Sequence, residues 1–404
     1  MPRVLLLVPT GTYRAEAFLS AAARLGIDVV VGSERRQAMA NAIGDGTIVV
    51  PLDDVEVAVE RIAELDGRAP LDAVVSVDDQ GLAVAAGAAA RLSLPHNRPE
   101  AVAAARDKTL LRARLAAAGV AQPDFWVVPP GGDVRDGAER VGYPCVVKPV
   151  SRSGSQGVIR ADDPGQAEAA AERARSIVGG GEPLLVEGFV AGPEVAVEAL
   201  VEDGTLHVLA VFDKPDPLDG PFFEETIYVT PSRQPASVLD ALGATTQAAT
   251  AALGLTGGPV HAELRIRADG QPVVIEVAPR SIGGLCARTL RFGAGISLEE
   301  IILRHAAGVG LGGLRREAQA SGVMMLPIRA PGLLKGVAGR EAALAVEGVV
   351  GLEITIPPGR RVVPLPEGDR YLGFVFARAR TPAEVEAALR RAEAALEVKV
   401  RPLA

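Results

Sequence analysis

Two glutamates in this chain are spaced to hold a cation. The dipeptide Asp269-Gly270 is favoured in tight hairpin turns and is flanked by apolar runs over 260–266 and 273–277, which read as paired strands. A two-residue loop at Asp269 and Gly270 sets Glu263 directly opposite Glu276, as does a four-residue loop; a three-residue loop does not. Alternation then gives His261, Glu263 and Arg265 a common face with Glu276, Ala278 and Arg280. The other face, Val260, Ala262, Leu264, Val273, Ile275 and Val277, is expected to be buried. Opposed carboxylates with Cβ atoms about 5 Å apart repel. Either Arg265 and Arg280 neutralise them on a solvated face, or they share a hard divalent cation, as Mg²⁺ does with one or two carboxylates and substrate phosphates.

The cations carry a second signal. Of 42 basic residues only five are lysines, Lys108, Lys148, Lys214, Lys335 and Lys399. In so arginine-rich a chain, a retained lysine raises the question of whether its place needs a compact ammonium rather than a planar fork. Lys148 ends the apolar run 145–147, and the Ser/Gly loop 151–157 follows, whose backbone N–H groups can approach phosphate oxygens. The four histidines assemble no nucleophilic triad, and His261 reads as a hydrogen-bonding neighbour of the acidic pair.

These residues need a scaffold, and 404 residues suffice for two or three domains. With 48% hydrophobic residues, a net charge of −8 and no Lys/Arg-rich run, the chain can bury sizeable cores and is not expected to bind nucleic acid or anionic membrane. Its apolar runs fall short of the roughly 18 residues of a membrane span, and Cys145 and Cys286 cannot build a disulfide framework or a metal cluster. A cytoplasmic α/β protein is expected. Residues 1–106 alternate strands (4–8, 29–31, 47–50, 71–77) with helices (15–25, 55–65), the pattern of parallel βαβ units. No G-x-G-x-x-G follows the first strand, and no P-loop occurs anywhere. A second region spans 107–306, and a third, 307–404, opens Gly-rich and ends in short strands with an amphipathic helix near 383–396.

In order, Lys108, Val147-Lys148-Pro149, the 151–157 loop, Leu185-Val186-Glu187-Gly188-Phe189-Val190-Ala191-Gly192-Pro193-Glu194, His261-Ala262-Glu263 and Ile275-Glu276-Val277-Ala278-Pro279-Arg280 resemble the motifs of ATP-grasp enzymes. The resemblance implies a βαβ N-terminal domain, a two-subdomain nucleotide-binding core and a C-terminal α/β domain. It implies that Lys108 and Lys148 bind nucleotide phosphates, and that Ser151, Ser153, Gly154, Ser155 and Gly157 belong to a flap over them. Glu187, Phe189 and Val190 would read adenine, Glu194 would hold the ribose, and Lys214 would be a further cation. Glu263 and Glu276 would bind Mg²⁺, with Mn²⁺ as substitute, although Ala278 stands where the family often has Asn. Arg280 would steady an acyl phosphate, with Ser281, Gly283 and Gly284 on the acid substrate and Glu224 and Glu225 on an amine. Residues 325–328 and 364–374 resemble the last domain of biotin-carboxylase-like members. The implied activity is ATP-dependent carboxylate–amine ligation, with an amino acid as the acid, in a possible homodimer. The alternatives are a bicarbonate-using carboxylase, whose biotin would have to come from another protein, and a non-catalytic ATP-binding regulatory module.

Overall fold

The computed structural model describes residues 1–35, 46–310 and 313–403. Val4, Leu5, Leu6 and Leu7 have no solvent contact, because their strand is central in a four-stranded parallel sheet. The order is Thr47–Val49, Asp28–Ser33, Arg3–Leu7, Ala73–Ser76. Helices Ala15–Leu25, Val55–Arg68 and Leu82–Leu92 cover it. Residues 9–13 and the pair Asp78-Asp79 leave the carboxyl ends of two adjacent strands, the edge where open α/β sheets meet ligands.

A small antiparallel sheet forms a lid, ordered Phe125–Val128, Leu184–Gly188, Cys145–Pro149, Ile159–Ala161. The helix Pro164–Val178 packs on it through Ala167, Ala170, Ala171 and Ala174, a small-residue stripe at helical spacing. The largest sheet has eight antiparallel strands, ordered Pro272–Ala278, Gly258–Ile266, Glu194–Glu202, Thr205–Lys214, Ile227–Thr230, Ala320–Leu326, Gly373–Ala379, Val349–Ile354. The sequence reading has no strand at Ile227–Thr230. This short strand pairs on one side with the core and on the other with Ala320–Leu326, so the sheet runs without a break across position 307. Among the described residues no helix is long and apolar enough to cross a membrane.

The hairpin reaches the expected pairing by an unexpected route. Gly270 donates to the Arg267 carbonyl and Arg267 to the Gln271 carbonyl, so the loop has three residues, 268–270, with Gly270 at φ 83°. Ile266 accordingly pairs with Pro272 and Leu264 with Val274. A bulge between Glu263 and Leu264 restores the lost position, and Glu263 pairs with Glu276. The bulge also changes the faces. Val274 and Val277 join Ala262 and Leu264 in the core; Val273 is buried as expected although it now pairs with Arg265, whereas Ile275 is only half-buried and lines the site, against the expectation that it belongs to the buried set.

Candidate active site

A cavity of about 400 Å³ lies where the N-terminal sheet edge, the lid, the hairpin and the C-terminal segment 355–371 meet. Lys148, next to the end of the lid strand Cys145–Pro149, lines the cavity and pairs with Glu187 on the neighbouring strand, Nζ to Oε2 2.7 Å. The other oxygen of Glu187 takes the Arg112 Nε at 2.6 Å. Arg112 is 1% exposed, and its two terminal nitrogens donate to the carbonyls of Val274 and Ile275, at 3.1 and 2.6 Å. One buried guanidinium therefore ties the bulged strand of the hairpin to the carboxylate that holds Lys148. Burial raises the Glu187 carboxyl, but Arg112 and Lys148 outweigh it and bring it down to about 2. Burial lowers the Lys148 ammonium to about 8 despite Glu187.

Lys108 begins the helix Lys108–Ala117, which Asp107 caps by accepting from the amides of Thr109 and Leu110. Its Nζ donates to the Arg152 carbonyl at 2.5 Å and lies 3.8 Å from Glu276 Oε1, linking the Ser/Gly loop to the hairpin. Of that loop, Ser153, Gly154 and Ser155 line the cavity. Ser151 instead bonds Glu182, 2.6 Å away. Gly157 (φ 74°) packs against Pro149, where a Cβ would come within 2.8 Å. Val146, Phe189, Val190, Leu218, Phe223 and Ile275 form an apolar slot beside Glu187 and Glu194. Phe189 and Phe223 lie 6.4 Å apart, with the Arg265 guanidinium 4.9 Å from the Phe189 ring.

Glu263 and Glu276 both line the cavity. Two carboxylates presented side by side by one hairpin fit the hard-oxygen chemistry of Mg²⁺ or Mn²⁺, and Ala278, opposite His261, adds no ligand. Among the described residues three carboxylates cluster closely elsewhere, Glu194, Glu225 and Glu263, with an oxygen of each within 4.8 Å of the others. Lys214 fills the cluster, with Nζ at 2.7, 2.5 and 2.8 Å from the three. Lys214 thus sits below the cavity wall, a buried counter-ion to groups that line it. Burial disfavours its charge, but the three carboxylates hold its pKa well above the ordinary lysine range. His261 Nδ1 lies 2.6 Å from Glu198 and Nε2 3.4 Å from Glu263. Burial lowers the imidazolium, yet these two acids outweigh it and lift it to about 9. His261 is thus a hydrogen-bonding neighbour of Glu263, the part expected from the sequence, and its closer partner is Glu198.

Arg280, Gly283 and Gly284 line the far end of the cavity. The Arg280 Nε is 2.8 Å from Asp79 of the N-terminal domain, and Nη1 donates to the Ser281 carbonyl at 3.0 Å. Ser281 points elsewhere, its buried hydroxyl accepting from Arg14 at 2.6 Å. Glu225 also lines the cavity, bonded by Tyr228 Oη at 2.6 Å and by Tyr371 Oη at 3.3 Å. Glu224 lies outside the wall, beside Ile328 and Arg329. Sequence reasoning missed Arg112, Asp79, Glu198, Tyr228 and Tyr371. Only Asp79 had a readable signal, an acidic pair just after a parallel strand.

Three family models match: ATP-grasp N-terminal domain over 19–96, ATP-grasp domain over 141–289, and L-amino acid ligase C-terminal domain 2 over 324–401. The alanine–anticapsin ligase of Bacillus subtilis strain 168 is 24% identical over 274 residues, 63% of this chain. A D-alanine–D-alanine ligase of Aromatoleum aromaticum is 31% identical over 179 residues, 44% of this chain. The chain spans 57% of the length of each of these relatives. The L-amino acid ligase from Bacillus licheniformis superposes over 99% of both chains, with TM-score 0.81 and 26% identity. N5-carboxyaminoimidazole ribonucleotide synthetase from Thermotoga maritima covers 99% of this chain and 100% of its own, with TM-score 0.74 at 19% identity, a likeness of fold alone. With its motifs in order around one cavity and domain models matched at its start, middle and end, the chain belongs to the ATP-grasp superfamily.

Proposed function

We propose that this protein is an ATP-dependent ligase that activates a carboxylate as an acyl phosphate and joins it to an amine, releasing ADP and phosphate. The observation that carries this reading is the convergence of Lys108, Lys148, residues 153–155, Glu263, Glu276 and Arg280 on one cavity. Adenine would enter the apolar slot beside Glu187, and the ribose would meet Glu194. The triphosphate would lie against Lys108, Lys148 and the loop. Glu263 and Glu276 would hold Mg²⁺ or Mn²⁺, which supplies Lewis-acid neutralisation of phosphate charge.

A carboxylate is inert to amines at neutral pH because its carbonyl is not electrophilic. Phosphorylation supplies a leaving group, and the lysines offset the charge on the transferred phosphoryl oxygens. Arg280, anchored by Asp79 and the Ser281 carbonyl, presents the rest of its fork to the acid and to the oxyanion formed when the amine attacks. Glu225 would face the amine, with Gly283 and Gly284 opening the backbone beside Arg280. The names of the relatives, alanine–anticapsin ligase and L-amino acid ligase, support an amino acid as the activated acid. The test is ADP release across pairs of amino acids and small amines with Mg-ATP. Release that needs both partners supports the reading. Release that needs bicarbonate instead, or none despite ATP binding, overturns it.

A further inference from the structure

The loop that lines the cavity at 153–155 is fastened to the C-terminal domain just beyond it. The Gly157 amide donates to the Pro366 carbonyl at 2.9 Å, and Gln156 Nε2 to the Glu367 carbonyl at 2.8 Å. The Glu367 carboxylate receives both forks of Arg173, from the lid helix Pro164–Val178, at 2.5 and 3.0 Å. Arg173 is further placed by the ring of Phe222, 4.8 Å from its guanidinium. The receiving segment is stiff. Gly368 closes a turn by donating to the Pro364 carbonyl, and a Cβ there would meet the Val363 oxygen at 2.1 Å. Directly after this turn, Asp369, Arg370 and Tyr371 form part of the cavity wall, and Tyr371 bonds Glu225. One short segment thus grips the lid with one end and walls the cavity with the other.

We propose that Glu367 is a positioning residue through which the C-terminal domain holds the 153–155 loop closed over the cavity. The proposal rests on the reading that ATP phosphates lie under that loop. The Gly157 backbone bond and the Gln156 side-chain bond place the loop tip, and the bidentate Arg173–Glu367 pair locks the helix behind it. A single exposed ion pair contributes little, but a two-bond fork acting with two further hydrogen bonds at one point has the geometry of a clasp. Because the same segment continues into the cavity wall, lid closure depends on where residues 369–371 stand.

The test is a charge-reversal cycle in the full chain: Glu367→Arg, Arg173→Glu and the double variant. Each single variant sets like charges face to face and is expected to raise the ATP concentration for half-saturation about five- to tenfold, with turnover at saturating ATP within about twofold. The double variant is expected to return to within about twofold of wild type. Independently of nucleotide, tryptic cleavage after Arg152 should be faster in both single variants and restored in the double, with unchanged melting temperatures. Singles that match wild type in both readouts, or a double no better than the worse single, would overturn the clasp. A wild-type protein that binds no Mg-ATP would overturn the reading of the site, and the cleavage rates would still decide the clasp.

Discussion

Glu187→Gln tests the buried clamp at the centre of the site. In the folded protein Glu187 is carried from an ordinary 4.5 to about 2. That shift contributes about 3 kcal/mol above pH 4.5, lost as the pH falls towards 2. Lys148 is carried the other way, from 10.5 to about 8. Its depressed value costs about as much at neutral pH, a cost relieved as the pH rises from about 8 to 10.5. The two shifts oppose one another, and what the pair does is hold the ammonium at the cavity wall. Glu187→Gln keeps the shape and removes the charge, leaving Arg112 and Lys148 buried without a counter-ion, a one-sided break that costs about 3–5 kcal/mol. Lys148 then gives up its proton at a lower pH than in the wild type. The stability gap should therefore be widest near pH 6 and narrow towards pH 8, at about 1 kcal/mol per pH unit. Urea unfolding of both proteins at several pH values between about 6 and 9 measures it. A gap that does not vary with pH, or one below about 1 kcal/mol, would refute the reasoning.

Lys148→Ala should abolish turnover and weaken ATP binding by about two orders of magnitude, whereas alanine at the exposed Lys335 or Lys399 should leave both unchanged; calorimetric titration with Mg-ATP separates them. Glu276→Gln should raise the Mg²⁺ concentration for half-maximal rate, and excess Mg²⁺ should recover part of the activity in a coupled ADP assay. Arg280→Lys keeps a charge beside Asp79 but loses the fork. It should bind Mg-ATP normally and lose about 10²-fold in acid-dependent ADP formation, without rescue by Mg²⁺.

What the sequence conveyed depended on whether a feature was local. The helix Ala15–Leu25 occupies the residues its pattern predicts, because it buries Phe18, Ala21 and Ala22 on one face at helical spacing, and the apolar run 4–8 places the strand Arg3–Leu7 to within one residue. The Glu263–Glu276 pairing was foreseen, yet by an argument that needed a two- or four-residue loop. The three-residue loop and the bulge at Ile275 offset one another, and neither leaves a mark in the period-2 pattern. Among the lysines, scarcity was informative: Lys108, Lys148 and Lys214, to which the resemblance gives a role, are buried at the site, and Lys335 and Lys399 are exposed. It did not separate Lys108 and Lys148, which meet the cavity, from Lys214, which neutralises carboxylates beneath it. Arg112 and Tyr371 were invisible, since a buried arginine on a helix and a tyrosine in a loop acquire meaning only from partners 75 and 146 positions away.

The continuity of the eight-stranded sheet has a consequence for how the molecule breathes. The hairpin that carries Glu263 and Glu276 and the C-terminal strands share one hydrogen-bonded ladder, linked through Ile227–Thr230, so neither can open without tearing a ladder that spans both. The lid has its own four strands and its own apolar cluster, and among the described residues no ladder joins it to the larger sheet. Cooperative opening should follow those seams. In native-state hydrogen exchange, amides of Cys145–Pro149 and Leu184–Gly188 should exchange as one group, at a lower opening free energy than those of Glu194–Glu202 and Ala320–Leu326. The latter two, despite lying on either side of position 307, should exchange together.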